Sequence, residues 1–389
     1  MTLITRRRAL QGMAGIAAVS VLGAPSILRA ADTIKLGFLS GLTGLETILG
    51  ETQLHCFELA VEELNAANGI GGRKIEYVVE DDQTTTRGAI EKARKLVFED
   101  EVAATMGMIA SLEHVAARSV TSPANHILMY STYYEGGVCD KSFFSTGQVP
   151  NQQIVPSLGW LTKNTGKTVY VIGSDYIWPR NSAEIIKTEI EKLGGKLLGA
   201  EFAPFGTQDF APIFDRARAA NPDFIWMMVA GADVITALKQ YQSFGFKQQL
   251  FSNALDELFS FAHPELTAGA LSNQAYFMKL DTPRNKNFTE AFAKKYGADK
   301  PINAIGEAAY DGVYLYAAAV EKAGSTESDA VIKALRDVEF DAPQGKVNFA
   351  ANNCLRANSI LARGTPDGHW ETVENFGQID PDVPGCTLN

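Results

Sequence analysis

The chain has 389 residues, of which 46% are hydrophobic and 21% charged, and a formal net charge of −10. That length exceeds one ordinary domain and supplies apolar material for two cores. The first 31 residues hold four arginines and no acid, so taking those four charges from −10 leaves −14 on the remainder. Such a balance repels nucleic acid and anionic membrane surfaces, and excludes both as partners.

The N-terminus is a targeting segment. Thr5-Arg6-Arg7-Arg8-Ala9-Leu10 resembles a twin-arginine export signal, with Ala9 where that motif prefers Phe. The apolar stretch from Met13 to Leu28 is too short for a membrane anchor and is broken by Gly23 and Pro25. Leu28-Arg29-Ala30 is a small-residue cleavage site, so residues 1–31 are expected to be an export signal and the mature chain a periplasmic protein. Export permits disulfides. Cys139 and Cys386 lie in Gly/Pro-rich irregular stretches, Cys56 sits on a helical pattern and Cys354 follows Asn352-Asn353. If one disulfide forms, it is expected between Cys139 and Cys386. No CxxC or Cys/His spacing is present, so no metal site is expected.

The body alternates strand and helix. Thr33 to Leu39 is an apolar strand, followed by the Ser40–Gly44 loop and an amphipathic helix with Leu54, Phe57, Val61 and Leu64 at three- and four-residue spacing. Lys74–Glu80 predicts a strand, Thr84–Phe98 a helix, Val102–Met106 a strand, Ser111–Ser122 a helix and Ile127–Tyr130 a strand. The pattern then restarts. Helices at Asn151–Asn164, Asn181–Leu193, Phe210–Ala220 and Ala232–Phe244 alternate with strands at Thr168–Ile172, Lys196–Phe202, Phe224–Val229 and Gln249–Phe251. Two βαβα sets predict two α/β lobes, each a doubly wound parallel sheet. Helices at Asn285–Tyr296 and Asn303–Ala323 have no strands between them and are expected to return to the first sheet. Asn358–Ala362 and His369–Glu374 flank Thr365-Pro366-Asp367-Gly368, a turn signal, and predict a hairpin.

Ligands of open parallel sheets sit beyond the carboxyl ends of the strands, which directs attention to the loops there. There is no G-x-S-x-G elbow, P-loop or H-E-x-x-H, and the five histidines are scattered singly, so no enzyme, cofactor or metal is expected. Glu80-Asp81-Asp82 is read as a solvated strand end rather than a cation site. Ser111 opens a helix directly after a strand, as a plain N-cap or as a hydroxyl for a ligand oxygen. Tyr130-Ser131-Thr132-Tyr133-Tyr134 follows the next strand, and Asp175-Tyr176-Ile177-Trp178-Pro179 holds the same place in the second set. Hydroxyl-bearing aromatics there suit either core packing or a small polar ligand with an apolar side.

These residues carry a resemblance. Tyr133-Tyr134-Glu135-Gly136, the Thr146–Gln153 segment, Gly173-Ser174-Asp175-Tyr176-Ile177-Trp178-Pro179-Arg180 and Asp341-Ala342-Pro343-Gln344-Gly345 are similar to segments of the type I periplasmic binding proteins of branched-chain amino acid, amide and urea ABC transporters. The likeness spans essentially the whole mature chain, and the Y-E-G and G-S-D-Y-x-x-P-R segments lean to the amide and urea branch. It implies two lobes joined by three crossings, near Gly147–Pro150, Tyr276–Lys279 and Phe340–Phe349. Lobe I is then expected at 32–148 plus 279–345, lobe II at 149–277 plus 346–376, and a C-terminal tail at 377–389. It also implies that Ser111, Tyr130 and Thr132 hold the ligand and that Tyr176 closes over it. Two departures stand out: the Ser40–Gly44 loop lacks a common proline, and Cys354 replaces a frequent His.

The resemblance implies a small-molecule ligand in the cleft and a membrane permease as the partner. The ligand-binding set is expected to be Ser111, Tyr130, Thr132, Tyr133, Tyr176, Trp178 and Asp256. A small amide or urea is the expected solute. An amino acid is the alternative, with Asp256 or Glu257 for its ammonium, and a ligand sensor without transport is a further one.

Overall fold

The computed structural model describes residues 33–384 and 386–388; the leader read at 1–31 lies outside them. The first lobe is built from β1 (Ile34–Ser40), α1 (Thr47–Ala66), β2 (Ile75–Asp81), α2 (Thr86–Phe98), β3 (Ala104–Gly107), α3 (Ser111–Thr121), β4 (Ile127–Tyr130) and β5 (Phe143–Ser145). Its sheet runs β2-β1-β3-β4-β5, every pair parallel. Central strands covered on both faces are apolar throughout, and β3 and β4 are buried at every residue. The edge strand β5 escaped sequence reading because three residues display no period.

The second lobe starts with α4 (Pro150–Asn164), β6 (Thr168–Ser174), α5 (Ile177–Lys192), β7 (Lys196–Ala203), α6 (Ala211–Ala220), β8 (Phe224–Met228), α7 (Asp233–Ser243), β9 (Gln249–Phe251), the short α8 (Glu257–Ser260) and α9 (Pro264–Thr267), and β10 (Leu271–Gln274). Then α10 (Pro283–Tyr296), α11 (Ala304–Ala323) and α12 (Ser328–Leu335) go back to the first lobe. There Phe288, Tyr310 and Tyr316 share one core with Phe38 and Phe57. After the hairpin β11 (Glu339–Ala342)–β12 (Gly345–Asn348), the chain returns as β13 (Ala357–Gly364) and β14 (Trp370–Ile379). The second sheet, β14-β13-β10-β9-β8-β6-β7, is parallel from β7 to β10 and antiparallel beyond. It is therefore mixed rather than wholly parallel. Residues 377–379, read as the start of a tail, are the end of β14, because pairing with Ala357–Ser359 continues through them.

The chain passes between the sheets after β5, after β10 and around the β11–β12 hairpin. Gln344, in that hairpin's turn, joins the two sides. Its Nε2 donates to Glu307 (2.9 Å) and Asp311 (3.1 Å) on α11, and its Oε1 accepts from Asn358 N–H on β13 (3.1 Å). The C-terminal segment runs from the β14 edge back to the first lobe, where Cys386 is disulfide-bonded to Cys139 with Cα atoms 5.1 Å apart. Cys56 and Cys354 are free and buried. Among the described residues no helix is long and apolar enough to cross a membrane.

Candidate functional site: the interlobe cavity

The lobes meet over a mostly enclosed cavity with about 20 Å³ open to the centre of a water-sized sphere. Ser111, Thr132, Tyr133, Tyr176 and Trp178 line it, together with Glu46, Leu49, Ile109, Gly231, Phe259 and Ile305. Local backbone geometry explains how α3 comes to open on it. At the end of β3, Gly107 has φ +118° and its Cβ would lie 2.4 Å from Leu39 O, so no side chain fits. Met108 follows at φ +66°, and the chain turns so that Ser111, the first residue of α3, lines the cavity.

The hydroxyls are used differently from the sequence expectation. Ser111 is the first helical residue and not the cap, which is Ala110. Its Oγ donates to Glu135 Oε2 at 2.6 Å, and Thr132 Oγ1 donates to Met108 O at 2.9 Å. Both hydroxyl hydrogens are thus spent on the protein, and what each oxygen offers a ligand is a lone pair. Tyr133 of the first lobe meets Trp178 of the second with ring centroids 5.3 Å apart, and Tyr176 stands 6.2 Å from the same Trp. The lobes also touch through backbone, Ala232 N–H donating to Leu45 O at 3.2 Å.

Two expected ligand residues do not reach the cavity wall. Tyr130 is fully buried in the first lobe with its hydroxyl donated to Ile109 O (2.5 Å), so it holds the wall in place. Asp256 caps α8, accepting Leu258 N–H at 3.0 Å, and burial pushes its carboxyl up to about 7. The Glu80-Asp81-Asp82 reading also needs correction. Glu80 pairs with Lys92 and Lys95, but Asp82 is fully buried.

Glu46 is the lining residue that sequence reasoning missed. It lies two positions beyond the Ser40–Gly44 loop, at the cap of α1, where an acid is ordinary because it suits the helix dipole. In the fold it is 1% exposed. Burial, followed by the Asp82 charge, pushes its carboxyl up to about 7. Burial and Glu113 push Asp82 up to about 8, and burial and Glu46 raise Glu113 well above the carboxylate range. Among the described residues no lysine or arginine lines the cavity. Among the described residues no cluster of His, Cys, Asp and Glu is arranged to hold a metal ion.

Comparison with known proteins agrees with this architecture. A family model described as "Periplasmic binding protein" matches residues 33–364. A Pseudomonas aeruginosa protein named "Leucine-, isoleucine-, valine-, threonine-, and alanine-binding protein" is 24% identical over 351 residues, covering 87% of this chain and 92% of the relative. An ABC transporter substrate-binding protein from Sphaerobacter thermophilus superposes with TM-score 0.80 at 25% identity, covering 90% of this chain and 99% of the other. A solute binding protein of an R. palustris ABC transporter, in complex with benzoate, superposes with TM-score 0.83 at 19% identity, covering 92% and 100%.

Proposed function

The chain belongs to the periplasmic binding protein family, and from that premise we propose that the solute it holds is a small planar amide or urea. It is the substrate-binding component of an ABC transporter, acts in the periplasm, does no chemistry, and delivers a small molecule to a membrane permease. The leader at residues 1–31 is the export signal this location calls for, in our reading of the twin-arginine type.

One observation carries the solute class: the polar lining combines acceptors with hydroxyl donors. Glu46, Ser111 Oγ and Thr132 Oγ1 can accept N–H donors, while the hydroxyls of Tyr133 and Tyr176 can donate to one carbonyl oxygen. An amide or urea presents that combination within about four non-hydrogen atoms, a size suited to so small a cavity. At a ceiling of about 1.5 kcal/mol per atom, such a solute binds no tighter than roughly tens of micromolar. Because both lobes contribute walls, the full set of contacts exists only when they are together, and binding shifts the population to the closed form.

The test is titration calorimetry with urea, acetamide, leucine and benzoate. Urea or acetamide is expected to bind, and Ser111→Ala and Thr132→Val to weaken that binding by about 1–3 kcal/mol, since a buried ligand donor loses its acceptor. An amino acid that binds while urea and acetamide do not would overturn the reading. That second reading draws on the relative's printed name and on Leu49, Ile109, Val234 and Ile305, which form an apolar wall. In it Glu46, not Asp256, would meet the ammonium.

Closure itself rests on a glycine. Gly231 has φ +62°, and a Cβ there would lie 2.6 Å from Leu45 O across the cleft. Gly231→Ala is therefore expected to hold the lobes apart and weaken binding of the panel's best solute about tenfold or more, a loss of about 1.4 kcal/mol or more. Small-angle scattering with solute present should show the more open form.

A further inference from the structure

Three carboxyls stand together on the first-lobe side of the cavity, one after each of β1, β2 and β3: Glu46, Asp82 and Glu113. None is more than 1% exposed. Glu113 Oε2 accepts Ile109 N–H (3.1 Å) and Ala110 N–H (3.0 Å), and Asp82 Oδ1 accepts Thr84 N–H (2.9 Å). Each carboxyl leaves one buried oxygen without a partner: Glu46 Oε2, Asp82 Oδ2 and Glu113 Oε1. Of the three, Glu46 lines the cavity.

Among the described residues no lysine or arginine lines the cavity, and His114, buried beside Glu113 and Tyr130, is kept neutral by burial. Glu135 reaches Ser111, while Tyr130, Tyr133 and Tyr176 feel the Glu46 carboxyl and Asp256 lies beyond Tyr133. These groups are acids and phenols. The part-buried Glu80 and Glu63 are paired with two lysines and with Arg284, whereas Glu257 and Asp311, away from the cavity, are buried like these three with one oxygen unpartnered. A buried carboxyl is costly unless it is paired or protonated. Here Glu46 lines the cavity, and the rings of Tyr133, Tyr176 and Trp178 form another wall of it. Aromatic faces attract cations, more strongly where water is excluded.

Resting on the planar-solute reading above, we infer that the preferred solute is the cationic isostere, an amidinium or guanidinium, with Glu46 as its counter-ion. Its N–H groups donate to the Glu46 carboxylate, and its plane lies against the aromatic wall. One proton leaves the carboxyl cluster to solvent as the cation enters, so the cavity's net charge is conserved.

Two isosteric pairs test this on the full mature protein, guanidinium against urea and acetamidinium against acetamide, by calorimetry at constant ionic strength and millimolar or lower ligand. At pH 8 the cation is expected to bind at least tenfold tighter than its neutral partner. The ratio should fall severalfold at pH 5, where the carboxyls keep their protons, and Glu46→Gln should bring it to one or below. Circular dichroism checks that the variant folds; if it does not, the wild-type ratios at the two pH values decide. A wild-type ratio of one or less at pH 8, or a ratio unmoved in Glu46→Gln, overturns the inference. Urea or acetamide binding without the cations leaves the planar-solute reading standing and sinks this one. Leucine binding with neither member of either pair sinks both.

Discussion

Removal of the Cys139–Cys386 bond is expected to lower the unfolding free energy by about 2–5 kcal/mol, the upper figure being the chain-entropy value for a very long loop. The bond spans 247 residues, so it closes residues 139–386, about two thirds of the chain beyond the leader, into a ring and removes a large set of extended unfolded conformations. In the folded protein it ties the segment after β14, an edge strand of the second sheet, to the loop after β4 of the first. The segment has other anchors: Val383 is buried beside Tyr134 and Val138, Arg356 pairs with Asp380, and Asn352 Nδ2 donates to Pro381 O at 2.9 Å. These contacts survive reduction, so the folded state should persist and the loss should fall on the unfolded side. Urea denaturation of the Cys139→Ala/Cys386→Ala double variant, beside oxidised wild type, is the measurement. Coincident midpoints would show that the bond contributes nothing.

Glu46→Gln is expected to stabilise the ligand-free protein at pH 8 and to leave it nearly unchanged at pH 5. The folded state raises the Glu46 carboxyl from 4.5 to about 7. The folded protein therefore retains a proton over the window in which the unfolded chain has lost it. Stability from such a group is fully present below about 4.5 and is lost as pH rises toward 7, because unfolding then releases a proton. A shift of that size corresponds to roughly 3 kcal/mol. The neutral amide of Gln does not titrate, so the variant escapes this loss, although Asp82 and Glu113 still titrate beside it and keep part of the slope. Thermal melts at half-unit steps from pH 5 to 8 should show the wild-type midpoint falling and the variant's falling less. A variant less stable than wild type at pH 8 would mean that the carboxylate is already satisfied in the free protein. The same substitution thus separates two roles, as it should strengthen the empty protein while removing the group that holds a cation.

The alternation of strands and helices was legible in the chain because local physics sets it. Runs such as Phe224-Ile225-Trp226-Met227-Met228 are apolar enough for a doubly covered strand, and Leu54, Phe57, Val61 and Leu64 repeat at helical spacing. With strands located, the rule that ligands sit beyond their carboxyl ends directed attention to Ser111, Thr132, Tyr133, Tyr176 and Trp178, all of which line the cavity. Side-chain direction and burial were not legible. Tyr130 and Thr132 lie two residues apart, yet one hydroxyl is used inside the lobe and the other edges the cavity. Asp256 follows a strand as expected, but capping its own helix turns its carboxyl to Leu258 N–H. Glu46, Asp82 and Glu113 lie far apart in the chain, each at a position where an isolated acid is unremarkable. Only the packing of three successive strand–helix loops brings them together, away from water, and burial with mutual repulsion then makes ordinary carboxyls into an unpaired acidic site.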